Sequence, residues 1–427
     1  MRLPIPVKDG FLRITTLSTA VTGCKLLGGV VTTKVAAIIG GPEGLAILGQ
    51  IGNLINVAQG VSGGIFAPGL VREIAKKTKY SEDSCPTLKV ALLMGILVST
   101  FVATIIAVGA PSLADELLES REYAWIFLTA AAVLPGYTLG VLLSAYLNGI
   151  GDIANLAYIQ IIQAFIAVLG TILLSQFFGF EGVVISTITL GALIPIIATV
   201  AWPNLISKLK ASKVILEWNL IRSFTAAGLM SLVGAICAPV VQIVVRNMII
   251  EAGGLDLAGS WQALQKISAT VTGFAAGPAS IYLLPRLTAA DNEGTRRTII
   301  SFQFKLLPLL LTGIILLCLF SRVAVETLFS KEFSHVSVYI PFLLAGDFFR
   351  CASWAVGYVL WARGLVKWFI GIELTNSVLY IVFSSICLNT SGEDFLKASM
   401  VAHLMAGFGA TAISFLCLEK ILKSSYK

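Results

Sequence analysis

Apolar runs long enough to cross a bilayer follow one another along almost the whole chain, and no other feature narrows its possible folds so far. A helix spanning the hydrocarbon core needs roughly 20 such residues. The runs lie near 12–39, 44–70, 87–110, 122–148, 152–177, 182–202, 219–250, 255–284, 300–320, 337–362, 367–388 and 396–419. Composition agrees: 57% of the 427 residues are apolar and 12% charged, about half the charged share of a soluble domain. Lipid leaves no partner for an open sheet edge, and the alternating pattern of a membrane barrel is missing. The expected fold is an all-α polytopic membrane protein of twelve transmembrane helices.

The formal net charge of +7 is not a nucleic-acid footprint, because the bases sit between apolar runs. One set of loops holds Arg2, Lys8 and Arg13, then Arg72, Lys76, Lys77, Lys79 and Lys89, then Lys208, Lys210, Lys213 and Arg222. The same side has Arg286, Arg296, Arg297, Lys305, Arg363, Lys367, Lys420, Lys423 and Lys427, making 21. The other side has Arg121, Arg322 and Lys331. The positive-inside rule puts the 21 and both termini in the cytoplasm. The outer loops are too short for a catalytic domain, and the basic connections 71–86 and 203–218 suit anionic membrane lipids. Seven cysteines without CxxC spacing and two histidines, His335 and His403, point to no metal, cofactor or disulfide.

The two halves repeat. A shift of 212 positions lays Lys34 on Arg246, Gly41 on Gly253, Leu45 on Leu257, Gln50 on Gln262 and Ile55 on Ile267 without a gap. The expected organisation is an N-terminal six-helix bundle over 1–207 and a C-terminal one over 208–427. In parallel transporter repeats the substrate site lies at the repeat interface.

A charge at the centre of a membrane helix costs at least about 2.5–3.5 kcal/mol, so each one inside an apolar run needs a reason. Here they are Lys25, Lys34, Arg246, Lys266, Asp347, Arg350 and Glu373, five basic against two acidic. The basic excess suits an anion. Lys34 and Arg246, related by the repeat, fit a clamp in which Arg supplies bidentate contacts and Lys a point charge; snorkelling to the interface is the bland alternative. Lys25 and Lys266 lie deeper. Nine residues separate Lys25 from Lys34, about 180° on a straight helix, so a shared cavity requires a bend, for which Gly28 and Gly29 are placed. Asp347 and Arg350, three apart, form an expected ion pair, with Arg350 otherwise joining the anion-binding set. Glu373 and Asp347 are the candidates for coupling to H⁺ or Na⁺. Gln50, Asn53, Asn56 and Gln59, with Gln262 in the second half, either line a polar cavity or join helices by hydrogen bonds. The glycine-rich run 60–64 reads as close helix packing or a hinge.

Lys25, the segment Lys34-Val-Ala-Ala-Ile-Ile-Gly-Gly41-Pro42-Glu-Gly44-Leu45, and a following helix with Gln50, Asn53-Leu54-Ile55 and Gly63-Gly64-Ile65 resemble the polysaccharide transporters of the MOP (MATE-like) superfamily. The resemblance is greatest to Wzx-type flippases of O-antigen and enterobacterial common antigen. It implies a V-shaped pair of bundles around a central cavity in the bacterial inner membrane. It also implies an undecaprenyl diphosphate-linked oligosaccharide as substrate, moved to the periplasmic leaflet by alternating access, with polysaccharide-assembly proteins as partners. A multidrug or cation antiporter of the same superfamily is the alternative within transport, disfavoured by the basic interior. A membrane glycosyltransferase or polymerase is the alternative outside it.

Overall fold

The computed structural model describes residues 7–79, 83–202, 218–289, 291–390 and 394–424, with 207, 209, 211, 212 and 214 between them. Arg2, Lys208, Lys210, Lys213 and Lys427 of the orientation count lie outside the described residues, as does most of the 203–218 linker.

Every regular element among the described residues is helical. In chain order they are α1 (Val7–Gln59), α2 (Ala67–Lys79), α3 (Cys85–Val108), α4 (Ala110–Leu118), α5 (Ala124–Gly149), α6 (Ile153–Thr189) and α7 (Ile194–Ala201). Then come α8 (Trp218–Ala289), α9 (Asn292–Leu319), α10 (Ser321–Leu328), α11 (Ile340–Ala362), α12 (Val366–Thr390) and α13 (Phe395–Ser424). Large apolar side chains are bare on their outer faces: Val108, Phe177 and Val200 are each 80% exposed and Phe304 77%. Only a lipid solvent makes such a surface stable. The chain is a multi-pass membrane protein.

Nine helical stretches among the described residues are long and apolar enough to cross a membrane, against the twelve expected. The difference lies in three very long ones. Val21–Thr78 has 58 residues, Ile153–Ala201 has 49 and Gly228–Gly273 has 46; at 1.5 Å per residue the first is about 87 Å of helix, against a core of about 30 Å. Each is broken at glycine. Gly41 has φ 57 and ψ −156, Gly179 has φ 57 and ψ −134, and Gly253 precedes Gly254 with φ 78 and ψ −178. Residues with a Cβ avoid these combinations, and here they redirect the chain without a polar loop. The first break is at Gly41 and the third begins at Gly253, which the 212-residue shift superposes, but the positive φ of the third falls one position later, on Gly254.

The run Gly60–Gly64 is one π-helical turn between α1 and α2. Its function is close packing: Ser62 Oγ accepts from Thr138 Oγ1 at 2.9 Å, and a Cβ on Gly60 would lie 2.5 Å from that of Ala235.

Packing divides the chain into two compact units. One comprises Met1–Val35 and Leu48–Pro239, the other Ala36–Ile47 and Val240–Lys427. This partition follows contacts, whereas the 207/208 division follows the repeat. The core of the first unit gathers Leu70, Ile74, Leu88, Ala91, Leu142, Tyr146, Ile159 and Phe224. In the second unit the segment around Pro42 is held so closely that any Cβ on Gly259 would collide with the Pro42 carbonyl.

Candidate functional site

In the second unit the part of α8 beyond its glycine break presents Trp261, Gln265, Ser268 and Thr272 at spacings of four, three and four. All four are buried, as the helical period requires of one inward face. Arg246, before the break, is fully buried. Its Nη2 donates to the Gln262 side-chain oxygen, and its guanidinium carbon stands 5.3 Å from the Trp261 ring centre. The expected clamp residue is therefore engaged inside its own unit. Lys266 on this helix is exposed, on the opposite face from Ser268 two residues on.

Asp347, on α11, is 0% exposed. The expected pairing with Arg350 is not what holds it. Its Oδ1 accepts from the Ser268 hydroxyl at 2.8 Å and lies 3.1 Å from His403 Nε2 on α13. A carboxylate only accepts, so that imidazole nitrogen carries the hydrogen. The cause is packing. Gly346 has no side chain, and a Cβ there would sit 2.5 Å from His403 Cδ2; its absence lets α13 approach until His403 reaches Asp347. Arg350 is half-buried and acts electrostatically on Asp347, on Glu373 and on Tyr380. Glu373, on α12, is half-buried, and no ion pair among the described residues includes it.

Tyr380, two turns further along α12, lays its ring across His403, centroids 5.4 Å apart at 71°. Its hydroxyl faces Gln265 and Trp261. Tyr380 Oη, Gln265 Nε2 and Trp261 Nε1 are buried against one another, while Asp347 Oδ2 is buried without a hydrogen-bond partner among the described residues. Buried polar atoms are ordinarily satisfied, so Asp347 Oδ2 is the exception in this cluster. No set of three or more His, Cys, Asp or Glu among the described residues is arranged to hold a metal.

In the first unit, Lys25 is exposed and Lys34 half-buried. The dihedral break in α1 is at Gly41, not at Gly28 and Gly29, so the nine-residue spacing leaves the two lysines on opposite faces. The bend expected at Gly28 and Gly29 is thus displaced to the position where φ is positive. Of the polar run, Gln50 and Asn53 are buried, Asn56 is exposed and Gln59 half-buried. A step of three residues turns about −60° around a helix, which carries the later members out of the packed face.

His403, Tyr380, Ser268 and Trp261 were not selected from the sequence. The signal for His403 in the sequence is an ionisable residue within an apolar run.

The chain aligns over 374 residues with the lipid III flippase of Escherichia coli K12 at 25% identity, covering 86% of this chain and 88% of that protein. The lipid III flippase of Shigella flexneri aligns with the same figures. Among solved structures, a multidrug resistance MATE family transporter of the MOP superfamily superposes in its inward-facing conformation with a TM-score of 0.73. That match has 14% identity and covers 96% of this chain and 98% of the other. The outward-facing conformation gives 0.68 at 14% identity, over 98% and 96%. No protein-family model matches the chain.

Proposed function

Starting from a chain that is a distant homologue of lipid III flippases, a Wzx-type relative with a MATE-like fold, we propose that it flips a lipid-linked oligosaccharide. The substrate is an undecaprenyl diphosphate carrier bearing a short glycan, moved from the cytoplasmic to the periplasmic leaflet of a bacterial inner membrane by alternating access. The nine apolar stretches and three glycine breaks support twelve passes, each break dividing one stretch in two. The bias of basic residues, 21 on one side against Arg121, Arg322, Lys331 and Lys397 on the other, supports cytoplasmic termini.

One observation carries the reading: each unit keeps an exposed lysine within an apolar stretch, Lys25 in one and Lys266 in the other. An exposed ammonium at membrane depth is costly for a scaffold and suited to a diphosphate that must leave water. Arg246 supports the same helix from within, fixing Trp261 and Gln262 one turn before Lys266. Asn56 is the exposed member of the polar run and suits contact with sugar hydroxyls, while Gln50 and Asn53 are buried.

The test is complementation of a strain lacking its lipid III flippase. The wild-type chain restores surface polysaccharide; Lys25→Ala and Lys266→Ala do not, while accumulating normally in the membrane. Normal polysaccharide in both variants overturns the anion-binding role, and failure of the wild-type chain across strains with different glycans overturns the substrate class.

A further inference from the structure

We propose that the outer surface of α12 and α13 carries a binding site for an anionic phospholipid, in the leaflet where α12 begins and α13 ends. The lipid phosphate meets Lys367 and Lys420, and the acyl chains lie along apolar stripes beneath them. The site rests on the membrane character of this surface and is independent of the flippase reading.

Each helix supplies half of it. On α12, Leu374, Val378 and Val382 are exposed at spacings of four, and exposed Lys367 lies seven residues before Leu374. Such spacings keep side chains on one face of a helix. On α13 the exposed Phe408, Ala412 and Leu416 are followed four positions on by exposed Lys420. Both apolar stripes therefore end in a lysine. They end together, because Lys420 Nζ stands 5.9 Å from the centre of the Trp368 ring, next to Lys367. From Lys367 to Val382 the helix rises about 22 Å, more than one leaflet's half of a roughly 30 Å core. An acyl chain on the stripe thus has apolar surface along its whole length.

The charged end is held in shape by packing. Gly364, with φ 64, turns the chain sharply from α11 into α12, and the Leu365 N–H donates to the Leu360 carbonyl at 2.9 Å. The turn sets Trp361 edge-on to the buried Phe369, ring centres 5.9 Å apart at 83°. Trp368, beside Phe369, is left exposed with the Lys420 ammonium over its face, an arrangement suited to the headgroup boundary. Other cations at this end are already engaged. Arg363 Nη2 donates to Thr295 Oγ1 at 3.0 Å, and Arg297 pairs with Glu293 at 3.2 Å. Among the described residues neither Lys367 nor Lys420 belongs to an ion pair. Two ammoniums without a counter-charge, at the end of bare apolar surface, complement a lipid phosphate.

A phosphate could also come from a lipid-linked glycan. The two stripes offer sugars no hydrogen-bonding side chain, and the one on α12 turns away from the packed interior. Val378 lies about 160° round the helix from Tyr380, whose ring rests on His403. A plain phospholipid is the occupant this surface fits.

The experiment is native mass spectrometry of the full-length protein, titrated in detergent with phosphatidylglycerol or phosphatidylethanolamine. The wild type is expected to retain phosphatidylglycerol in preference to phosphatidylethanolamine. Lys367→Gln and Lys420→Gln each weaken that retention roughly fivefold, Trp368→Leu weakens it without altering charge, and Lys420→Arg preserves it. Lys76→Gln with Lys77→Gln, on α2, leaves it unchanged. Wild-type retention by the double variant Lys367→Gln/Lys420→Gln overturns the site. So does equal binding of phosphatidylethanolamine by the wild type, which would leave apolar contact alone. An equal loss in the α2 variant makes the attraction a matter of net charge and overturns it too. Displacement of phosphatidylglycerol by equimolar undecaprenyl phosphate overturns the phospholipid assignment in favour of a carrier lipid. No outcome depends on transport, so failure here and failure of the flippase reading are separate results.

Discussion

Arg246→Met tests whether a buried cation is kept for stability or for function, because the structure allows both sides of its energy to be worked. The substitution removes a charge-assisted hydrogen bond to Gln262, worth about 1.5–3 kcal/mol. It also removes a guanidinium over Trp261, worth up to about 2 kcal/mol when desolvated. Against this, it relieves the burial of a charge, which costs at least about 2.5–3.5 kcal/mol in a membrane helix. Methionine keeps most of the volume, so the opposing effects nearly cancel to within about 2 kcal/mol, and what deficit remains rests on the orphaned Gln262 oxygen. Adding Gln262→Leu removes that orphan, and the double variant recovers most of the deficit, as replacement of buried ionic contacts by apolar ones often does. Thermal unfolding in detergent measures the stabilities and complementation measures transport. Both variants are expected to be folded, abundant and deficient in polysaccharide. A single variant that no longer accumulates would show Arg246 to be structural, wild-type polysaccharide would show it to be dispensable, and a double variant no more stable than the single would refute the Gln262 assignment.

Lys25→Arg retains part of the flipping activity and Lys25→Glu none, read by lipopolysaccharide or common-antigen gels; equal activity in the two would mean that the charge is incidental. Gly41→Ala loses roughly 1–3 kcal/mol, the cost of placing a Cβ where φ is 57 and ψ −156, seen as a lower unfolding temperature, whereas Ala at Gly29, which meets nothing within 4 Å, does not. Gly346→Val pushes α13 away from α11 and costs about 1–3 kcal/mol by overpacking. It also separates His403 from Asp347, so Ser268→Ala added to Gly346→Val costs less than Ser268→Ala alone, whereas the two effects add if the contacts at Asp347 are independent.

The all-helical membrane character was legible in the sequence because lipid imposes one requirement on every residue of a run; the count of twelve was not, since three pairs of runs join into continuous helical stretches and nine are seen among the described residues. The glycine breaks had a weaker signal: Gly41 and Gly253 are paired by the 212-residue shift, but only Gly41 of that pair has a positive φ, the second break taking its positive φ at Gly254. Partnerships were not legible. Asp347 and Arg350 are near in sequence, so spacing alone pairs them, yet the groups that hold Asp347 come from 79 positions upstream and 56 downstream. Nothing local announces that Gly346 brings α13 so close. Exposure was mixed for the same reason. Lys266 was placed among accessible cations and is exposed, while Arg246, judged by the same rule, is buried against a tryptophan that periodicity marks only as core.

The assignment of Ala36–Ile47 to the unit built from the second half has a consequence for biosynthesis. Those residues leave the ribosome about 190 residues before Val240, where the rest of their unit begins. At roughly 5–20 residues per second, they wait on the order of 10–40 s for the helices they will pack against. Throughout that interval Gly259 has not been made, and the Pro42 carbonyl that will rest on it has no protein neighbour there. A nascent chain stopped short of α8 therefore carries this glycine-broken segment uncovered, which makes the early product a natural client for membrane chaperones and proteases. Stalled chains of graded length should lose their protease sensitivity at this segment only once α8 has emerged past Gly259.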